Sequence, residues 1–198
     1  MKQSITLLLV LALSISSYAQ ESAKYQKLKA KNKYKEGYVI TNDSVKTEGL
    51  IKDFYNAARQ YAEVSFVKLD GSLVKYLPSE LIEFGYDDNK FAANMASFYQ
   101  VIVEGQKVSL YKSMTVSTAY SMYGPGGVNG SSNYTSTSTD LYFRKTGEKD
   151  FKWIRKKDFS EVFSTYFEDC NALKAKILDG VVGRLNIDVI LEEYNNCQ

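Results

Sequence analysis

Along most of this chain the apolar residues come in short β-branched and aromatic runs separated by turn residues, and at Asp158 that rhythm gives way to a helical one. Phe159, Val162, Phe163, Tyr166, Phe167 and Cys170 fall at i, i+3, i+4, i+7, i+8 and i+11, a stripe along one face of a helix. Asp158 stands where an N-cap is needed, with Glu161 three residues on, a capping-box arrangement. The stripe continues more weakly through Leu173 and Ile177, and Gly180 ends it. Asn186 is placed to cap a last short helix carrying Ile187, Ile190, Leu191 and Tyr194 on one side. Strands first and helices last predict an α+β domain: an antiparallel sheet or sandwich of about eight strands, covered by two or three C-terminal helices.

The strand half is punctuated by turns. "GYVI-TNDS-VKTEGLI" predicts a hairpin around Asn42 and Asp43. "AEVSFVKL-DG-SLVKYL" predicts a second, with Asp70-Gly71 suiting a two-residue type I′ turn, and Pro78 stops its outgoing strand. "PSELIEFGYDD" adds a strand ending at Asp87 and Asp88; "SFYQVIVEGQKVSLYKS" predicts a hairpin around Gly105 and "LYFRKTGEKDFKWI" another around Gly147. Connections this short make antiparallel pairing the default.

The first residues address the chain for export. Lys2 is a positive n-region, Ile5 to Ile15 an apolar core, and Ser17-Tyr18-Ala19 small residues suited to a signal peptidase, so residues 1–19 are expected to be a cleaved signal peptide. The apolar run is shorter than the roughly 20 residues of a spanning helix, and no later run is long enough for one. No cysteine stands directly after it, which disfavours a lipid anchor. Residues 20–36 carry six lysines and are expected to be a solvated, flexible leader. Residues 37–198 then form a single domain with a long flexible loop at residues 113–139. The formal net charge of +2, one unit less without Lys2, gives no field for nucleic acid or a membrane surface.

Absent histidine excludes Ser-His, Cys-His and His-metal mechanisms. In an oxidising compartment Cys170 and Cys197, the only cysteines, read as one disulfide. The loop it closes is worth roughly 3.5 kcal/mol. Two lone cysteines do not complete a zinc shell, and no metal or cofactor is expected. Glu80, Glu83, Asp87 and Asp88 are the nearest approach to the carboxylate pair of a glycan hydrolase, although "YDDN" is also what a turn requires. "KDFKWIRKKDF" interleaves cations with Phe151 and Trp153 as single-strand nucleic-acid binders do. Strand alternation explains it more simply, with Phe151 and Trp153 on one face and Lys152 on the other. In "SMYGPGGVNGSSNYTSTST" the glycines lack the spacing, helix and lysine of a phosphate-binding turn. Its Tyr, Ser, Gly and Asn suit both a recognition loop and a linker, which makes Tyr120, Tyr123, Asn129, Asn133 and Tyr134 the candidate contact residues.

The order of "EGYVITNDSVKTEGLIKD", "VSFVKLDGSLVKYLPSELIEFGYDD", "SFYQVIVEGQKVSLYK", "YFRKTGEKDF", "YFEDC" and "EEYNNC" resembles an exported soluble domain common in Bacteroidota. In that family the domain often precedes an outer-membrane β-barrel and has no assigned activity. No barrel segment follows Cys197, so a standalone domain is expected. Asp43-Ser44-Val45 is similar to the short O-glycosylation motif of exported proteins of such bacteria, with Ser44 as acceptor. The resulting expectation is a periplasmic, outer-membrane-associated or extracellular binding module without catalysis, engaging an envelope protein, a surface glycan or an outer-membrane protein. A carboxylate-dependent glycan hydrolase and a small outer-membrane β-barrel are the alternatives.

Overall fold

The computed structural model describes residues 21–121, 132–157 and 159–197. The expected signal peptide, the N-cap Asp158 and the contact candidates Tyr123 and Asn129 lie outside the described residues. The architecture is α+β, with strands followed by C-terminal helices. The strands are β1 (Tyr34–Thr41), β2 (Lys46–Lys52), β3 (Val64–Val67), β4 (Leu73–Tyr76), β5 (Leu81–Tyr86), β6 (Asn89–Ala93), β7 (Phe98–Val103), β8 (Val108–Ser121), β9 (Ser132–Lys145) and β10 (Lys152–Trp153). The helices are α1 (Ala23–Lys29), α2 (Phe159–Tyr166), α3 (Asn171–Leu178) and α4 (Ile187–Asn196).

All ten strands join one antiparallel sheet, in the order β10-β9-β8-β7-β6-β5-β1-β2-β3-β4, rather than a sandwich of two. Its ends are β4 and β10, so it is open, unlike the closed sheet of a transmembrane barrel. The strand that patterning overlooked is β6, "NKFAA", whose single large apolar residue and two alanines give little β signal.

Only residues 77–80 connect β4 to β5, yet three strands lie between them in the sheet. Four strand spacings measure about 19 Å in a flat sheet. Five residue steps reach at most about 18 Å, and less through the 3-10 turn at Pro78–Glu80, so the sheet must curl here. Glycines permit the close approach: a Cβ at Gly49 would lie 2.3 Å from the Val67 carbonyl, and one at Gly37 2.3 Å from that of Gly85. Inside the curl Phe84 stacks on Phe91 at 4.5 Å and meets Phe98 edge-on at 4.9 Å, with Val39, Ile51, Tyr61 and Phe66 completing the core.

Alternation along β2 and β3 sends Leu50 and Val67 to the opposite face from Ile51 and Phe66. That second face is covered by α1, which inserts Tyr25 between Leu50 and Val67. The expectation of a flexible leader over residues 20–36 is thereby corrected. Ser22 caps α1 by accepting from the Tyr25 amide, and its own amide donates to the Leu69 carbonyl. Lys27 and Lys29 sit in the last turn, where the helix dipole favours cations. Of the six lysines that made the segment look like a tail, Lys24, Lys27 and Lys29 belong to this short helix, Lys31 and Lys33 to the turn after it and Lys35 to β1.

At the other end of the sheet the C-terminal helices pack on Val108, Leu110 and Phe143 through Phe159, Phe163, Phe167, Leu173, Ile177, Ile190 and Leu191. The expected stripe is buried except at exposed Val162 and half-buried Tyr166, but it is not one helix. The chain turns at residues 167–170, Cys170 occupies the N-cap of α3, and Gly180 follows α3 with φ +70°. Asn186 precedes α4 without making a side-chain cap bond. The β3–β4 connection also differs from the expected two-residue turn. It runs over residues 68–72, with Gly71 at φ +82° and the Asp70 carboxylate accepting from the Ser72 amide at 2.7 Å.

A leader that only spaces the fold from its N-terminus is dispensable, whereas a docked helix is not. Tyr25→Ala is expected to lower the unfolding free energy by about 3 kcal/mol in urea titration, and exposed Lys27→Ala to change it little. Equal, negligible effects of the two would return the segment to a leader.

Candidate functional site

The expected flexible loop at residues 113–139 is mostly strand. β8 and β9 pair without interruption from Val108↔Lys145 to Ser121↔Ser132. β7 accompanies β8 only as far as Lys112, and β10 accompanies β9 only at Tyr142 and Phe143. Among the described residues, Ser113–Ser121 and Ser132–Asp140 therefore pair only with each other, as a ribbon of about 30 Å. Tyr120 stands opposite Asn133, and Ala119 opposite Tyr134. Thr115, Ser117, Ser136, Thr137, Ser138 and Thr139 are exposed, Val116 is half-buried, and Met114 anchors the base against the inner core.

Beside that base the 3-10 turn Ala57–Tyr61 leaves a cleft of about 410 Å³ lined by Asn56, Arg59, Tyr61, Ser97, Met114 and Val116. Its Gln60 is buried, and neither polar atom of its side chain has a partner among the described residues.

The four acidic candidates have other work. A Glu80 carboxylate oxygen accepts from the Leu77 amide at 2.7 Å, capping its 3-10 turn. Glu83 accepts from the Tyr38 hydroxyl at 2.6 Å and pairs with Lys90 at 3.3 Å, and Lys90 continues to Glu104 at 2.8 Å. Asp87 makes the β5–β6 turn at φ +47° and pairs with Lys35 at 3.7 Å, beside exposed Asp88. Ser44 is exposed in the β1–β2 turn at φ +63°.

Cys170 and Cys197 are bonded, tying the start of α3 to the end of α4. Two neighbouring contacts had no sequence signature. The Asn195 side chain accepts from the Lys107 and Val108 amides at 2.8 and 3.0 Å and donates to the Val108 carbonyl at 3.0 Å, pairing the first residue of β8 as a neighbouring strand would. Lys145 reaches between Tyr166 and Tyr194, 4.8 Å from each ring centroid, and pairs with Asp169 at 3.6 Å. The Tyr194 hydroxyl donates to Asp169, and with Lys145 it holds that carboxyl below the ordinary aspartate range. Both contacts join residues far apart in the chain, which local pattern does not reveal.

On the sheet face away from the helices, Phe151 stacks on Tyr99 at 4.1 Å and meets Tyr111 edge-on at 4.7 Å, with the Arg144 guanidinium 4.5 Å from its ring. The expected alternation through β10 fails: Phe151 is half-buried, whereas Lys152 and Trp153 are both exposed. A two-residue strand paired on one side does not impose a face on its flanks.

Among the described residues no cluster of three or more Cys, Asp or Glu is placed to hold a metal ion, and no helix is long and apolar enough to cross a membrane. Comparison with protein-family models, with curated proteins and with solved structures found no match to this chain.

Burial, then the bond to Glu83, pushes the Tyr38 hydroxyl up to about 12 from 10.0, and burial does the same at Tyr61. Between those values the folded chain retains protons that the unfolded chain has released. The stability these groups contribute is complete below pH 10 and falls as the pH rises to about 12. The urea midpoint is expected to drop across that window, less steeply in Tyr38→Phe; identical slopes would show that Tyr38 titrates as an ordinary tyrosine.

Proposed function

We propose that this chain is an exported cell-envelope protein acting as a non-catalytic binding module, and that the β8–β9 ribbon engages an extended segment of an envelope protein by strand addition. The observation that carries this reading is the contrast between its sheet edges. Sheets guard their edges by shortness, charge and proline. β4 is four residues long, contains Lys75 and runs into Pro78; β10 is two residues long and contains Lys152. The ribbon has no such guard: Ser132–Thr139 holds no charge, proline or glycine, and four of its last four residues are exposed hydroxyl side chains. An edge left open for eight residues suits a partner strand, with backbone hydrogen bonds for affinity and side-chain pockets for selectivity.

The compartment rests on the signal-like first 19 residues, on a disulfide suited to an oxidising space and on the resemblance to exported Bacteroidota domains. Within that reading the partner is an envelope protein, an outer-membrane protein included, and exposed Ser44 is available as the glycan acceptor. The structural partners of Glu80, Glu83 and Asp87 favour binding over hydrolysis.

Val116 and Thr137 face each other across the ribbon, so Asn-Gly in place of residues 117–136 closes it with a two-residue turn. That variant is expected to unfold within a few degrees of the parent, because it leaves Met114 and every residue of the two large core clusters in place. Its binding to the producing cell's envelope fraction should fall by about tenfold or more, as should that of Thr137→Lys/Thr139→Lys, which charges the edge. Undiminished binding by both variants would contradict the assignment.

A further inference from the structure

Trp153 is the only tryptophan of the chain, and it stands 47% exposed on the edge strand β10. Its neighbour Ile154 is buried against the helices, with its amide bonded to the Leu141 carbonyl at 2.9 Å, so the exposed indole is held by a fixed backbone. Between this edge and α2 runs a groove of about 380 Å³ lined by Phe151, Lys152, Trp153, Arg155, Phe159 and Val162. That is within the lower part of the range for small-ligand sites, about 300–1,000 Å³.

Among the described residues, the charged side chains that line the groove, Lys152 and Arg155, are of one sign. No acid among the described residues lines it, whereas the cleft at the β1–β2–α1 junction includes Glu21, Glu36 and Glu48 and the one beside Arg144 includes Glu104 and Glu148. Lys149, Lys152, Arg155, Lys156 and Lys157 make no ion pair among the described residues, in contrast to Lys29, Lys35, Lys90, Lys145 and Lys176. The Arg155 guanidinium rests 4.9 Å from the Trp153 ring centroid, which holds the cation beside the indole.

We infer that this groove binds an acidic sugar, as part of an anionic glycan. The C–H face of a pyranose ring stacks on the indole and meets Phe159 and Val162, while its carboxylate, or an attached phosphate, takes the charge-assisted bonds of Arg155 and Lys152. A neutral sugar leaves those two cations unanswered. A lipid surface calls for a protruding apolar patch, and this one is recessed. A nucleic-acid strand needs a track of successive exposed stacking platforms, and of the groove's aromatics only Trp153 is exposed, Phe151 being half-buried and Phe159 buried. The site lies on β10 and α2, away from the ribbon. It deepens the binding-module reading by naming a ligand class, and it stands or falls separately from the ribbon.

Because the indole is unique, its fluorescence reports on this groove alone. The full chain is titrated at physiological salt with an octamer of galacturonic acid, a neutral maltooctaose and the oligonucleotide dT8. A saturable change in emission with a sub-millimolar midpoint is expected for the acidic octamer and none for the neutral one. Lys152→Gln/Arg155→Gln, both at exposed positions and checked for folding by circular dichroism, should raise that midpoint by about tenfold or more. The ribbon-shortened variant should respond as the parent does. No response at millimolar acidic octamer, an equal response to the neutral one, an unaltered midpoint in the double variant, or tighter binding of dT8 would each overturn the assignment.

Discussion

The pairing of β8 with β9 is the interaction on which the rest of the molecule depends. Leu110 opposite Phe143 presents one face to the C-terminal helices, and Tyr111 opposite Tyr142 presents the other to Tyr99 and Phe151. A slip of one residue would exchange these faces and empty both clusters, so the register is fixed from two sides at once. Asn195 fastens the start of β8, Lys145 on β9 is clasped by Tyr166, Tyr194 and Asp169, and the disulfide closes the helices that supply those groups. Beyond Lys112 the same two strands continue without a further strand beside them, on a base that Met114 packs against the inner core.

The N-terminal half solves a different problem. Its five strands curl tightly enough for four residues to link β4 to β5, and β2 and β3 become buried on both faces. The inner face is filled by the phenylalanine cluster, and the outer one needs α1. Tyr25 thus belongs to the domain as much as any strand residue, although it lies in a lysine-rich segment.

What the sequence revealed and what it hid follow from the range of the interactions. The helical stripe from Phe159 and the turns at Asn42, Asp70, Gly105 and Gly147 were legible because period and turn chemistry act over a few residues. The turn at residues 167–170 breaks the stripe while Phe159, Phe163, Phe167, Cys170, Leu173 and Ile177 stay buried on both sides of it, so pattern alone joined two helices into one. The ribbon was hidden by composition: serine, and the glycines between Gly124 and Gly130, read as slack, although threonine, tyrosine and valine in the flanks favour strand. The asymmetry between guarded and unguarded edges exists only once strand order is known. The groove at Trp153 likewise needs α2 folded back against β10.

A protein built this way offers two chemically distinct surfaces on one scaffold: an uncharged open edge on the ribbon and a cationic, aromatic groove near the helices. Whether the ribbon is ordered strand decides more than any other point, and native-state hydrogen exchange followed by mass spectrometry tests it directly. The amides of Ser113–Ser121 and Ser132–Asp140 that point across the β8–β9 pair are expected to exchange at least about tenfold more slowly than those of an unstructured peptide, alternating with fast outward-facing ones. Exchange of the whole segment at the unstructured rate would restore it to a loop and remove the edge from which a partner strand is added.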